Sequence, residues 1–175
     1  YAYMPTWRDA ANDMQKAASI KETEEILREF DKKLDDSSVL LVNLHFLLSS
    51  EINCDKYKHV EYFSGDYDTY EILNACDGLI TDYSSSMFDY AMLRRPCILY
   101  ATDVEQYDRG YYYDFKELPF PLAESGEELK SLIANFDKEV YLARLELFLN
   151  DTLGLKEQGI AAKELAEWMR QRMIK

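Results

Sequence analysis

The densest run of chemically useful side chains is Gly78-Leu79-Ile80-Thr81-Asp82-Tyr83-Ser84-Ser85-Ser86-Met87-Phe88-Asp89-Tyr90. It reads as an apolar strand, a hydroxyl-rich turn and then a helix. Free backbone N–H groups at a helix start, together with the hydroxyls of Ser84, Ser85 and Ser86, make an anion site that needs no net positive charge. The same three serines can equally do no more than cap the helix, which is what serines do at helix starts generally. Asp89, one turn further in, can accept hydrogen bonds from sugar hydroxyls or simply favour the helix dipole. Spacing alone leaves both alternatives open.

Other polar residues fall at comparable places. Thr6, Trp7 and Arg8 follow a first apolar run, His45 a second, Gly65 and Asp66 a third, Asp82, Tyr83, Ser84, Ser85 and Ser86 the fourth, and Thr102 and Asp103 a fifth. In a doubly wound parallel sheet the ligand crevice lies beyond the carboxyl ends of the strands, so this pattern delivers polar groups to one edge. His45 suits proton transfer or a switchable positive charge near phosphate; a lone histidine at a strand end is more often a satisfied structural residue. Arg8 can grip a phosphate with two hydrogen bonds or sit in an exposed salt bridge. Arg109 can do the same or anchor its loop. His59, in the polar stretch from Asp55, reads as a solvated surface residue.

The elements that must position these groups alternate between β-rich and helical runs over the first two thirds of the chain, the pattern of βαβ units and a parallel sheet. Strands are predicted at Tyr1–Met4, Val39–Leu44, Val60–Phe63, Gly78–Thr81 and Cys97–Tyr100. A helix is predicted over Ile20–Leu34, another from an Asp68 cap to Ala75, and a third from Ser84 or Ser85 to Leu93. Residues 102–121, with four tyrosines and two prolines, read as a structured loop. Helices follow at Gly126–Phe136, Lys138–Leu149 and Leu155–Met173. The last carries an apolar stripe of Leu155, Ala162, Leu165, Trp168, Met169 and Met173. The fold class is therefore α/β, a Rossmann-like parallel sheet flanked by helices with a helical C-terminal tail. Residues 1–122 are expected to form the Rossmann-like part, with 123–175 as helices completing the same lobe.

Composition excludes several classes. The 175 residues carry 20 Lys+Arg against 33 Asp+Glu, and the net charge of −13 opposes a nucleic-acid partner. No apolar run approaches the roughly 18 to 20 residues of a membrane span. Cys54, Cys76 and Cys97 are too scattered for a disulfide framework or a zinc site and suit a reducing, cytoplasmic setting. The opening on Tyr1 looks cut from something larger, and it shows no basic stretch followed by an apolar one, so no secretion signal is expected in it.

Taken together, Tyr3-Met4-Pro5-Thr6-Trp7-Arg8, Leu44-His45-Phe46, Leu79-Ile80-Thr81-Asp82-Tyr83-Ser84-Ser85 with Phe88-Asp89-Tyr90, Arg94-Arg95-Pro96 and Asp108-Arg109-Gly110-Tyr111-Tyr112 resemble the CDP-glycerol glycerophosphotransferases of teichoic acid synthesis. The match runs in order over about residues 3–121. The resemblance implies a GT-B architecture of two Rossmann-like lobes, this chain being the C-terminal, donor-binding one. It implies a phosphotransferase that moves glycerol phosphate from CDP-glycerol to a lipid-linked poly(glycerol phosphate) chain or primer and releases CMP. It also implies a peripheral protein of cell wall biogenesis at the inner face of the bacterial cell membrane.

Carried over residue by residue, the resemblance gives the pyrophosphate to Ser84 and Ser85, the ribose to Asp89, and the phosphate side of the donor to Arg8 and His45. His45 and Arg8 are the catalytic candidates; Thr6, Thr81, Asp82, Ser86 and Arg109 complete the substrate-binding set. The family's usual candidate base is a histidine of the other lobe, which has no counterpart here, so this chain alone is expected to bind donor without turnover. No Asp-x-Asp motif stands among the strand-end residues, so a metal-independent site with no cofactor is expected. The final helix, with Arg170, Arg172 and Lys175 near its end, is a candidate to face the other lobe, although basic residues there also suit the helix dipole.

The sequence departs from the family pattern twice. Asn43-Leu44-His45 stands where Arg-x-His is usual, and Pro119-Phe120-Pro121 where Pro-Gly-Pro is usual. A CDP-ribitol donor, a GT-B glycosyltransferase using a sugar nucleotide, and an interaction module retaining only the fold are the competing readings.

Overall fold

A computed structural model describes residues 1–6, 13–107, 110, 112–156 and 159–173. Six strands, β1 (Ala2–Met4), β2 (Leu40–Val42), β3 (Val60–Tyr62), β4 (Leu79–Thr81), β5 (Cys97–Tyr100) and β6 (Leu122–Ala123), form one wholly parallel sheet. Its order is β3-β2-β1-β4-β5-β6, the doubly wound Rossmann arrangement. The strands are short and nearly all apolar because both faces of a parallel sheet are covered. Side chains alternate between those faces. Ala2, Leu79, Cys97 and Leu99 enter one buried cluster, while Tyr3, Ile80 and Ile98 enter the other.

One face is covered by α1 (Asp13–Lys33), the short turn α2 (Phe46–Ser49) and α5 (Gly126–Ala134), which bring Ile26, Leu27, Leu48 and Leu129 onto the sheet. The other is covered by α3 (Thr69–Ala75), α4 (Ser86–Ala91) and α6 (Lys138–Leu147), through Ile72, Leu73, Met87, Tyr90, Tyr141 and Leu145. Helix starts follow their local chemistry. Asp68 and Glu71 form a reciprocal capping box on α3. The Ser125 hydroxyl accepts from the Glu128 amide, and Asp137 accepts from the amides of Glu139 and Val140.

The structure corrects several predicted boundaries. α1 begins seven residues before Ile20, because its polar first two turns are good helix formers that need no burial. α4 stops at Ala91 instead of Leu93; Arg94 then takes a left-handed φ of 54°. α6 leaves α geometry after Leu147 and passes into a π-helical turn, Phe148–Thr152, whose wider winding buries both Phe148 and Leu149. Leu155 packs against the core and not on the last helix. Gly159, at φ 79°, interrupts the chain, and α7 runs only from Ala161 to Met173.

β6 was not expected from the sequence at all. His59 is also a correction: it is only 9% exposed, at the start of β3. Its backbone amide and that of Lys58 each donate to Asp31 Oδ1 at 2.7 Å, and its carbonyl accepts from Leu40 N. A carboxylate from α1 thus pulls in a stretch that looks solvated in one dimension. Cys54, Cys76 and Cys97 are buried, unpaired thiols, and burial pushes the Cys97 thiol pKa up. Among the described residues no helix is long and apolar enough to cross a membrane.

Candidate functional site

The strand order reverses between β1 and β4, and a doubly wound sheet opens its crevice at that reversal. Two side chains from the end of β4 bridge the point. Thr81 Oγ1 donates to the Met4 carbonyl at 2.7 Å. Asp82, 1% exposed, accepts the Thr6 amide on both carboxylate oxygens at 2.8 and 3.0 Å and the Tyr83 amide at 2.7 Å. These charge-assisted bonds to backbone N–H groups are of the stronger kind. They fix the mouth of the crevice, and a cavity of about 60 Å³ lined by Pro5, Thr6, Asp82 and Thr102 lies beside them.

The serine turn comes next. Ser84 Oγ lies 2.9 Å from Ser86 Oγ and accepts the Ser86 amide at 3.3 Å, so Ser84 does the local turn bonding. Ser85 holds the N-cap position of α4 without a side-chain cap bond. Of the two serines proposed as caps, the one at the formal cap position leaves its hydroxyl off the helix backbone. Asp89, in the first turn of α4, accepts a hydrogen bond from Tyr70 Oη of α3 at 3.1 Å.

His45 stands three residues beyond β2, half-buried, and its carbonyl accepts the Leu48 and Ser49 amides that start α2. β2, β1 and β4 are neighbours, so the ends carrying His45 and Ser84 are about two strand spacings, roughly 10 Å, apart across the sheet. That separation suits a ligand lying across the carboxyl edge over β1. Arg8 and Arg109 lie outside the described residues, as do Trp7 and Tyr111.

Sequence reasoning missed the aromatic clamp behind the serine turn. Tyr83 stacks on Tyr107 with centroids 3.8 Å apart and donates to Asp103 at 2.8 Å. The loop after β5 is thereby tied to the turn after β4. Its signal in the sequence was the tyrosine-rich composition of 102–121, which carries no register. Arg94-Arg95-Pro96 has a structural explanation. Arg95 donates to the carbonyls of Asn74 and Cys76 at 2.6 and 2.7 Å, closing the C-terminal end of α3, while Arg94 pairs with Glu146 of α6.

The two departures from the family pattern also find places. The Asn43 amide continues the sheet ladder to Tyr3 O at 3.0 Å. Phe120 is a core residue, 3% exposed, packed edge-on against both Phe88 and Phe148.

A far larger groove, about 990 Å³, lies between α1 and α5 and is lined by Tyr1, Gly78 and Pro96, the residues that precede strands. It runs along that face of the sheet, from these residues at the amino edge to Tyr100 and Ser125 beside the carboxyl ends of β5 and β6. Volume therefore follows the α1/α5 face and not the β1/β4 reversal, and the placement of polar groups in a parallel sheet favours the carboxyl edge at that reversal. Among the described residues no three His, Cys, Asp or Glu side chains gather as a metal site.

The model of the family described as CDP-Glycerol:Poly(glycerophosphate) glycerophosphotransferase matches residues 2–153. The chain belongs to this family. A teichoic acid poly(glycerol phosphate) polymerase of Bacillus spizizenii is 38% identical over 133 residues, covering 73% of this chain and 33% of that protein. A teichoic acid glycerol-phosphate transferase of Staphylococcus aureus is 34% identical over 175 residues, covering 94% and 43%. The wall teichoic acid polymerase TagF, in a variant soaked with CDPG, superposes with a TM-score of 0.73 at 28% identity, covering 98% of this chain and 41% of that one. The chain thus spans less than half the length of these glycerophosphotransferase relatives.

Proposed function

We propose that the chain is the donor-nucleotide lobe of a CDP-glycerol-dependent glycerophosphotransferase, the C-terminal half of a GT-B enzyme of teichoic acid synthesis. The observation that carries this reading is the serine turn opening α4 beside the β1/β4 reversal, within a chain whose family is defined by that donor. The similarity to a TagF structure soaked with CDPG supports it.

In this reading the Ser85 hydroxyl and the amides of the turn receive the diphosphate, Asp89 the ribose, and His45 the phosphate that carries glycerol. Arg8 and Arg109 add charge on the strength of the family resemblance. Thr6, Thr81 and Asp82 tie the ends of β1 and β4 together by their backbone bonds and so shape the floor of the crevice. An acceptor hydroxyl at the end of a poly(glycerol phosphate) chain attacks the glycerol-bearing β-phosphorus in line. A new P–O bond forms, the bond to the bridging oxygen breaks, and CMP departs with that oxygen and its electron pair. Catalysis of this kind is positioning and charge stabilisation. The base that takes the acceptor proton belongs to the other lobe, and the lipid-linked acceptor places the full-length enzyme at the inner membrane face.

Titration of the 175-residue chain with CDP-glycerol, followed by amide chemical shifts, is expected to move signals at His45, Ser84, Ser85 and Asp89 with no CMP released. CDP-ribitol and UDP-sugars in parallel are expected to bind more weakly. Absence of any shift with cytidine nucleotides at millimolar concentration would overturn the reading, and a preference for UDP-sugars would replace it with a glycosyltransferase.

A further inference from the structure

We propose that Tyr70 is a positioning residue that fixes the Asp89 carboxylate to receive the vicinal hydroxyls of a ribose, making the site selective for ribonucleotides over deoxyribonucleotides. The inference rests on the reading of Asp89 as the ribose acceptor and adds the residue that gives it its geometry.

Asp89 sits on the first turn of α4, where a short carboxylate would otherwise sample several rotamers. Tyr70 Oη donates to Asp89 Oδ2 at 3.1 Å. A carboxylate has about four lone-pair sites, so this bond leaves Oδ1 wholly open and sets the plane in which a pair of adjacent hydroxyls can donate. The bond to Asp89 also raises the Tyr70 pKa.

The frame behind the pair is stiff. Tyr70 is on the first turn of α3, whose start is pinned by the Tyr70 amide on Asp68 Oδ1 at 2.8 Å and the Asp68 amide on Glu71 Oε2 at 3.0 Å. α3 and α4 bury Ile72, Leu73, Met87, Tyr90 and Ala91 in one cluster, and Tyr90 Oη donates to Cys76 O at 2.8 Å. The phenol therefore reaches Asp89 from a helix held at a fixed distance. Tyr70 itself is 60% exposed, so removing its hydroxyl leaves no buried group unpaired.

The test measures binding of CDP and 2′-deoxy-CDP to the full chain by calorimetry for wild type, Tyr70→Phe and Asp89→Asn. Wild type is expected to prefer CDP. Tyr70→Phe is expected to lose about three- to tenfold affinity for CDP, the size of one hydrogen bond, with little change for 2′-deoxy-CDP, so that the ratio between the two shrinks. A merely structural role would move both ligands together. If Asp89→Asn weakens CDP binding while Tyr70→Phe leaves both affinities and their ratio unchanged, the role of Tyr70 is overturned alone. If Asp89→Asn has no effect, or wild type binds neither nucleotide, the ribose assignment fails and the proposal with it.

Discussion

The packed body and the last helix make opposite use of their apolar residues. In the body, side chains of successive strand residues alternate between two buried clusters, and even partial turns such as Phe148–Thr152 contribute buried rings. In α7 every residue is exposed, including Leu165, Trp168, Met169 and Met173. The family match ends at residue 153, before α7 begins. The part that the family model covers is the part that packs on itself. α7, by contrast, is held by local terms: strong helix formers such as Ala, Leu, Glu, Lys and Arg, and Arg172 lying 3.9 Å over the Trp168 ring one turn away.

The contrast is broken most forcefully in the body. Leu145 is 0% exposed in the cluster between α6 and the sheet. Leu145→Ala is expected to destabilise the chain by about 3 kcal/mol, from lost transfer energy plus the cavity left behind. Urea unfolding checks this; a loss below about 1 kcal/mol would mean that α6 is not part of the cooperative core. Next comes the crevice. Asp82→Ala removes the acceptor of the Thr6 and Tyr83 amides in a site closed to solvent. We expect a loss of about 2 kcal/mol. Asp82→Asn, which keeps one acceptor oxygen, should lose about half as much. Equal stability of all three forms would show that the β1 and β4 ends are held by the ladder alone.

Asp82 also shows what could be read without coordinates. Its place at the end of an apolar run was legible, as were β1 to β5, because Leu40–Val42 or Cys97–Tyr100 are apolar runs bounded by turn residues. Its carboxylate's direction was not, since the decisive partner, Thr6, lies 76 residues away and becomes a neighbour only once β1 pairs with β4. β6 escaped for a different reason. Two residues have no periodicity, and Leu122–Ala123 is a strand only because Leu99 N reaches Pro121 O and Ala101 N reaches Ala123 O. His59 looked solvated because its neighbours are polar, and Asp31 on α1 explains why it is not. At the site, the serine turn was visible in composition, whereas the division of labour between Ser84 and Ser85 and the reach of Tyr70 to Asp89 depend on how α3 and α4 pack.

The smallest effects belong to α7. Leu165 and Trp168 are 58% and 53% exposed, so replacing both by alanine removes little buried area. Leu→Ala is mildly favourable to an exposed helix, while Trp168→Ala loses the Arg172 contact. These terms nearly cancel, and Leu165→Ala/Trp168→Ala is expected to change global stability by less than about 0.5 kcal/mol. The more sensitive measurement is hydrogen exchange. A 13-residue helix without a packed face is marginal in water, so its amides should exchange by local opening, far faster than those of β4 and β5, which open only with the whole body. Slow exchange in α7 matching that of β4 would mean that the helix is held by more than its own propensity and would erase the difference between the two regions.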